Sequence, residues 1–376
     1  MPEIYLDNAA TYLGRNSYAL GNPSSLHHKG IASAQKLVNS RIMISKVLNC
    51  QPSEIIFTSG GTESDNLAIK GLARSLEKYG KSIAIGATEH KAIINSCEAL
   101  KREGFKTVVI PVDENGIIKM KDLEKILKNK DITLVSVMYA NNETGVIQPI
   151  REIAKLVHEY GKVFHTDAVQ AANCLSLDTQ DLDVDAMSLS GHKIGAQKGI
   201  GLLYLKKGIP ITPIIDGGGQ EHGLRSGTEN VEGIESFAYH LASISPNLYS
   251  KKCRFMKMEM LGIIKDGLEN VVPIRINSLL YSLPTHISIT FKGIDGEALA
   301  LLLDQEGVYV STGSACNSQS VDPSHVLTAM GLTPEDARCT IRISLSDCLT
   351  VSDIENASNI IVKCVKYLEE MKKCEN

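Results

Sequence analysis

Residues 132–168 read ITLVSVMYANNETGVIQPIREIAKLVHEYGKVFHTDA. The β-branched run 132–140 predicts a strand, the amphipathic stretch 150–160 a helix and the run 163–168 a second strand. Strand, helix and strand at this spacing are a βαβ crossover, which makes the two strands parallel. The same alternation runs outward on both sides. IIFTS (55–59), SIAIGA (82–87) and TVVIPV (107–112) precede helical stretches at 63–78, 92–103 and 121–127, while AMSLS (186–190) and GIGLLYL (199–205) follow. The reading is an α/β protein with a mainly parallel sheet covered on both faces. GGGQEHG (217–223) then interrupts the pattern, and a largely helical segment from about 230 to 270 leads away. Beyond it THISITF (285–291), GEALALLLDQEG (296–307) and a helical stretch at 353–371 predict a smaller C-terminal α/β unit. The expected division is a large unit over 12–245 and a small one over 246–376, with residues 1–11 packing near the small one.

At about 150 residues per domain, a chain of 376 residues accommodates two to three such units, and 43% hydrophobic residues suffice for their cores. Charge excludes other classes. The balance of 39 basic against 43 acidic residues, net −4, contains no long block of either sign, so neither a nucleic-acid groove nor a polybasic membrane patch is supported. MPEIYLDNAAT opens without a positive or apolar leader region, and apolar runs such as 298–303 are too short for a bilayer; the expectation is a cytoplasmic protein. Nine cysteines without a Cys-x-x-Cys pair indicate neither a disulfide framework nor a zinc knuckle, and no metal site is expected.

In open parallel sheets ligands bind beyond the carboxyl ends of the strands, and here those ends carry the polar clusters. Ser59-Gly60-Gly61-Thr62 lies between a strand and a helix, where backbone N–H groups hold a phosphate without any lysine. No Walker sequence and no GxGxxG opening a helix is present, so nucleotide readings are weak. Thr88-Glu89-His90, the run 141–145 and Asp167-Ala168-Val169-Gln170 end further strands, and Ser190-Gly191-His192-Lys193 puts a lysine directly after another. Each alone reads equally as a cap or turn. Together, an amine for a Schiff base, a carboxylate for a pyridine nitrogen and a phosphate cradle fit pyridoxal phosphate.

SGHK (190–193), with YLDNAAT (5–11), GNPSS (21–25), FTSGGTESDNLAIKG (57–71), TEHKA (88–92), NNETG (141–145), HTDAVQ (165–170), RSGTEN (225–230) and STGSAC (311–316), resembles the cysteine desulfurase family of the IscS/NifS kind, related to class V aminotransferases. The resemblance runs over nearly the whole chain. It implies a fold-type I pyridoxal-phosphate enzyme with a mainly parallel seven-stranded sheet and a smaller C-terminal domain. The implied reaction takes sulfur from L-cysteine, leaves L-alanine and passes a persulfide to a protein acceptor such as an iron-sulfur scaffold. By the same resemblance Lys193 holds the cofactor and moves the Cα proton, which requires its amine to titrate well below the usual value of about 10.4. His90 stacks on the ring and assists, Asp167 keeps the ring nitrogen protonated, and Gln170 bonds the ring hydroxyl. Gly61, Thr62, Ser190 and His192 hold the phosphate, with Thr228 reaching in from the second subunit of a homodimer. Asn141 and Arg342 bind the substrate carboxylate.

Cys316 is the implied nucleophile, and its surroundings agree independently. Gly313-Ser314-Ala315-Cys316-Asn317-Ser318 has little to bury, which suits a thiol that must meet a small substrate and then a protein. Cys50, Cys97, Cys174, Cys339 and Cys364 fall in or beside apolar segments and read as packing residues; His165, inside a strand, reads as a packed neighbour of the site. The chain also departs from the family. Only nine residues (12–20) separate Thr11 from Gly21, Gln197 stands where proline is common, and Ser346-Asp347 replaces Gly-Arg after the strand of Arg342. A selenocysteine lyase, an aminotransferase, or a catalytically impaired scaffold homologue in a sulfur-transfer complex stay open as alternatives.

Overall fold

A computed structural model describes residues 4–11, 21–277, 281–312 and 323–375. Cys316 and the short segment 12–20 lie outside the described residues.

Seven strands form the first sheet: β1 (Ile55–Thr58), β2 (Ser82–Gly86), β3 (Lys106–Ile110), β4 (Ile132–Ser136), β5 (Val163–Asp167), β6 (Ala186–Ser190) and β7 (Gly201–Leu205). Their order is β1-β7-β6-β5-β4-β2-β3, with β7 antiparallel to both neighbours and every other pairing parallel. All residues of β1, β2, β4, β6 and β7 are buried, as expected of strands covered on two faces. One face carries a core of Ile44, Leu123, Ile153, Phe164 and Phe237; the other packs Leu67, Leu72, Ile93 and Leu100. Because β7 reverses direction, the carboxyl ends of β1, β6, β5, β4 and β2 all emerge at one end of the sheet.

Three differences from the sequence reading have physical causes. The expected strand 132–140 stops at Ser136: beyond it Val137 N and Tyr139 N still donate to His165 O and Asp167 O of β5, but on the other side Met138 N donates to Glu89 Oε1 at 2.7 Å instead of to β2. The helical segment 230–270 is two helices, Val231–Ser243 and Pro246–Leu268, broken at Ile244–Ser245 with Pro246 in the first turn of the second. Helix His28–Leu48 was not anticipated, since its buried positions include Ser33, Ser40, Arg41 and Ser45 while Ile31, Val38, Ile42 and Met43 are exposed. Arg41 pairs with the buried Glu221 at 2.7 Å, and Glu221 also accepts from Phe57 N at 2.8 Å, which pins the glycine-rich segment to β1.

The three-stranded antiparallel sheet, β8 (Ile274–Ile276), β9 (His286–Phe291) and β10 (Thr340–Ser344), has the order β10-β9-β8. With helices Pro246–Leu268, Gly296–Gln305 and Val351–Glu375 it forms a separate core around Met260, Ile289, Phe291 and Ile361. Val326, Leu327 and Met330, later in the chain than β9, pack instead on the first core. The described N-terminal residues bond to their near neighbours: Ser25 Oγ donates to Asp7 at 2.7 Å, and Asn22 Nδ2 to Ala10 O at 3.3 Å. Among the described residues no helix is long and apolar enough to cross a membrane.

Candidate active site

At the end of β1 the chain turns through Ser59 and Gly60 into helix Gly61–Asn66, whose first backbone N–H groups lack partners inside the helix. A Cβ on Gly61 would lie 2.8 Å from Val169 Cγ2 and 3.4 Å from Ser190 Cβ, so only glycine lets this turn approach the ends of β5 and β6. Ser190 Oγ lies 3.0 Å from His192 Nδ1. Burial, then the nearby Lys193 and Lys198, hold His192 below its ordinary titration, so its ring is neutral at pH 7. Backbone N–H groups, two hydroxyls and this imidazole make a donor set suited to a phosphate. Glu63 binds Arg225 at 2.8 Å, which ties the segment carrying the exposed Thr228 to the same helix.

Beside this corner lies the floor. Asp167 ends β5 and is buried, with Oδ1 accepting from Val169 N at 2.9 Å. Burial raises its pKa, while the Val169 N–H, His90 and Lys193 act against the rise. His90 caps helix Lys91–Lys101, its Nδ1 accepting from Ala92 N at 3.2 Å. One ligand-type atom each of Asp65, His90 and Asp167 lies within 4.8 Å of the other two. Lys193 sits in the tight turn Gly191–Ile194 after β6, with its carbonyl held by Asn173 Nδ2 at 2.7 Å. Gln170 is half-buried three residues past Asp167. His165, fully buried, lies between Ser136 Oγ at 2.9 Å and Ser188 Oγ at 3.0 Å, and burial lowers it to about 3. It is a packed neighbour of the site, as its place inside a strand suggested.

The other core reaches the site across a seam. Arg342 on β10 donates from Nη1 to Asn142 O at 2.9 Å. Gly145, at φ 75°, passes so close under β9 that a Cβ would meet His286 Cβ at 2.7 Å. Ser324 Oγ donates to Glu143 Oε2 at 2.5 Å, and His325 Nε2 lies 3.0 Å from Glu89 O. The Asn141 amide is already engaged. Its Oδ1 accepts from the backbone N–H of Glu143 and of Thr144, both at 2.9 Å, and its Nδ2 donates to Thr88 O at 2.9 Å. Any ligand at Asn141 therefore competes with bonds that shape the turn.

The structure thus gathers Gly61, Thr62, His90, Asp167, Ser190, His192 and Lys193 at one sheet end and brings Arg342 to the loop after Asn141. Thr62 and His90 also line an open cleft of about 330 Å³. Two larger surface hollows, about 650 and 620 Å³, lie elsewhere and gather no comparable donor set. Sequence reading missed Asp65, which resembles an ordinary surface residue until burial is known; Glu143 was read within the polar run 141–145, and His325 as an entrance-lining or solvent-exposed loop residue, without the bonds they make. Burial pushes the Cys50 and Cys97 thiols up to about 12 and Cys253 up to about 11, so these are not thiolates at neutral pH. Cys348 and Cys374 are exposed. The anion cradle, the buried carboxylate with an imidazole beside it, and the amine at the next strand end fit pyridoxal phosphate.

Comparison with known proteins agrees. The family described as aminotransferase class-V matches residues 4–357. A relative from Clostridium botulinum, "Cysteine desulfurase IscS", is 41% identical over 383 residues, covering 98% of this chain and 96% of the relative. Among solved structures, a "NIFS-LIKE PROTEIN" superposes with TM-score 0.85 at 37% identity, covering 93% of this chain and 92% of that one. "SspA in complex with cysteine" gives TM-score 0.77 at 33% identity, with coverage of 90% and 94%.

Proposed function

The chain belongs to the aminotransferase class-V family, among its IscS- and NifS-like cysteine desulfurases, and from that premise we propose how its own residues carry the reaction. It is a pyridoxal-phosphate enzyme that removes sulfur from L-cysteine. Bound at this sheet end, the cofactor supplies an electron sink for the pair left on the substrate Cα. Gly61, Thr62, Ser190 and His192 bind its phosphate, with Thr228 of the second protomer of a homodimer completing the cradle. Asp167 holds a negative charge at the ring nitrogen, Gln170 bonds the ring hydroxyl, and His90 covers the ring. Lys193 holds the cofactor and moves the Cα proton. Arg342 binds the substrate carboxylate, and Asn141 fixes the turn that faces it. Cys316 attacks the substrate sulfur: an S–S bond forms as the Cβ–S bond breaks, leaving a persulfide for transfer.

The observation that carries this reading is the convergence of the cradle, Asp167, His90 and Lys193 on one sheet end. Exposed Ile31, Val38, Ile42 and Met43 on helix His28–Leu48 support the homodimer. The family likeness supports iron-sulfur assembly or thiolation as the destination of the sulfur, a protein scaffold as acceptor and a cytoplasmic location as parts of this proposal. The division at 245/246, into a cofactor unit and a unit bringing Arg342 and Cys316, belongs to the same proposal.

The test is alanine release from L-cysteine by protein reconstituted with pyridoxal phosphate, with dithiothreitol to discharge the sulfur and a keto acid supplied in a parallel reaction. The expected result is equimolar alanine and sulfide with no amino transfer. Amino transfer without sulfide would replace the proposal with an aminotransferase.

A further inference from the structure

Asp65 belongs to no part of the machinery above, yet it is 1% exposed and lies directly behind it. It follows the cradle in helix Gly61–Asn66, and one of its oxygens is within 4.8 Å of both Asp167 and His90. Its Oδ1 has no hydrogen-bond partner, and the nearest basic atom, His165 Nε2, is 3.9 Å away on a neutral ring. Ser188, on β6, is the neutral polar side chain beside it, and its Oγ lies 3.0 Å from His165 Nε2. Glu89, just before His90, adds a third buried carboxyl whose Oε2 is also without a partner.

Two carboxylates this close, away from water, do not both ionise. Which one keeps the proton follows from what faces each. Asp167 has the Val169 N–H, His90 and Lys193. Asp65 faces Ser188, the neutral His165, the charge of Asp167, and the Glu89 carboxyl, which burial also raises well above its ordinary range. Burial, and then Asp167, push Asp65 well above the ordinary carboxylate range.

We propose that Asp65 is a positioning residue that holds a proton beside Asp167, so that the negative charge of the pair stays on Asp167 where the cofactor's ring nitrogen binds. As a neutral acid it fills the space behind Asp167 with a dipole instead of a second charge. This rests on the cofactor reading given above. Asp65 and Asp167 are therefore near neighbours with opposite requirements: one must be neutral, the other ionised.

The experiment compares wild type, Asp65→Asn, Asp65→Ala and Asp167→Asn as apoproteins and after titration with pyridoxal phosphate. Asn copies the shape of a neutral acid, so Asp65→Asn should keep cofactor affinity within about threefold and leave the pH of the bound-cofactor absorbance transition unchanged. Asp65→Ala should weaken affinity about tenfold and move that transition, and Asp167→Asn should weaken it more. In the apoprotein, the infrared difference between wild type and Asp65→Asn at neutral pH should show a protonated-carboxyl C=O band. The proposal is overturned if that band is absent, if Asp65→Asn behaves like Asp65→Ala, or if Asp65→Ala matches wild type. If Asp65→Ala fails to fold, the infrared band and the Asp65→Asn titration still decide. Wild type that binds no pyridoxal phosphate would instead sink the cofactor reading, while the infrared band would still report on Asp65.

Discussion

The floor of the site and its roof are built differently. Beneath, five strand ends of one sheet present Gly61, His90, Asn141, Asp167 and Lys193, each at most five residues past a buried ladder. Above, Arg342 of the second core bonds Asn142 O, the segment before Val326 adds Ser324 to Glu143 and His325 to Glu89 O, the buried Lys257 bonds Leu283 O at 3.2 Å, and Ile147 N donates to Tyr281 O at 2.8 Å. Leu283 N in turn donates to Gly145 O at 2.8 Å, so Lys257 reaches the 141–145 turn through one intermediary. A floor set by backbone ladders is suited to holding a cofactor in one geometry; a roof joined largely by side chains is suited to binding and releasing a small substrate. Changes below should therefore remove the chemistry, and changes above should alter how well substrate is held.

The largest effect expected is at Lys193. Lys193→Ala should lower alanine release by at least about a thousandfold, while its thermal unfolding without cofactor stays close to wild type. A second break in the floor concerns stability. Arg41→Met strands the buried Glu221 carboxylate and should cost about 3 kcal/mol, read as a lower urea midpoint at unchanged slope. Arg41→Met paired with Glu221→Gln should recover much of that loss; no recovery would mean that the ion pair is not what pins this segment.

On the roof, Arg342→Gln should raise KM about tenfold or more with a smaller change in kcat. Arg342→Lys should restore little, because a point charge does not replace a planar two-pronged donor. An equal fall in kcat and kcat/KM would instead place Arg342 with the floor, and the contrast would break. The smallest effect lies outside both regions. His158 is raised above its ordinary value chiefly by its bond to Asp185 at 2.8 Å, with Asp183 adding to it. Raised in the folded state, it contributes stability fully below its unfolded value of about 6.5 and loses it as pH rises through the folded value. His158→Gln should remove under about 1 kcal/mol at pH 6 and almost nothing at pH 9, by urea melts at the two pH values.

The same contrast explains what was legible in the sequence. Floor strands are buried on both faces, so they read as apolar runs that stop at polar residues, and the stops are the site. Helix His28–Leu48 was illegible because it turns Ser33, Ser40 and Arg41 inward and Ile31 and Val38 outward, inverting the pattern that marks a helix. Asp65 was illegible because a carboxylate on a helix reads as solvated until the packing is known. Of the roof, the family resemblance marked Arg342, but not the bonds of Ser324 and His325, since nothing in 323–325 signals which loop they will meet. Asn141 was legible as a site residue, whereas the bonds that already occupy its amide were not.

The central claim is that the floor activates L-cysteine and that Cys316 takes its sulfur. Peptide mass spectrometry after incubation with L-cysteine, without reductant, tests it most directly in wild type and Cys316→Ser, with alanine measured in parallel. The account predicts alanine together with one extra sulfur on the Cys316 peptide in wild type, and neither in the variant. Cofactor bound with no alanine formed, or sulfur carried instead on the exposed Cys348 or Cys374 with the variant fully active, would contradict it.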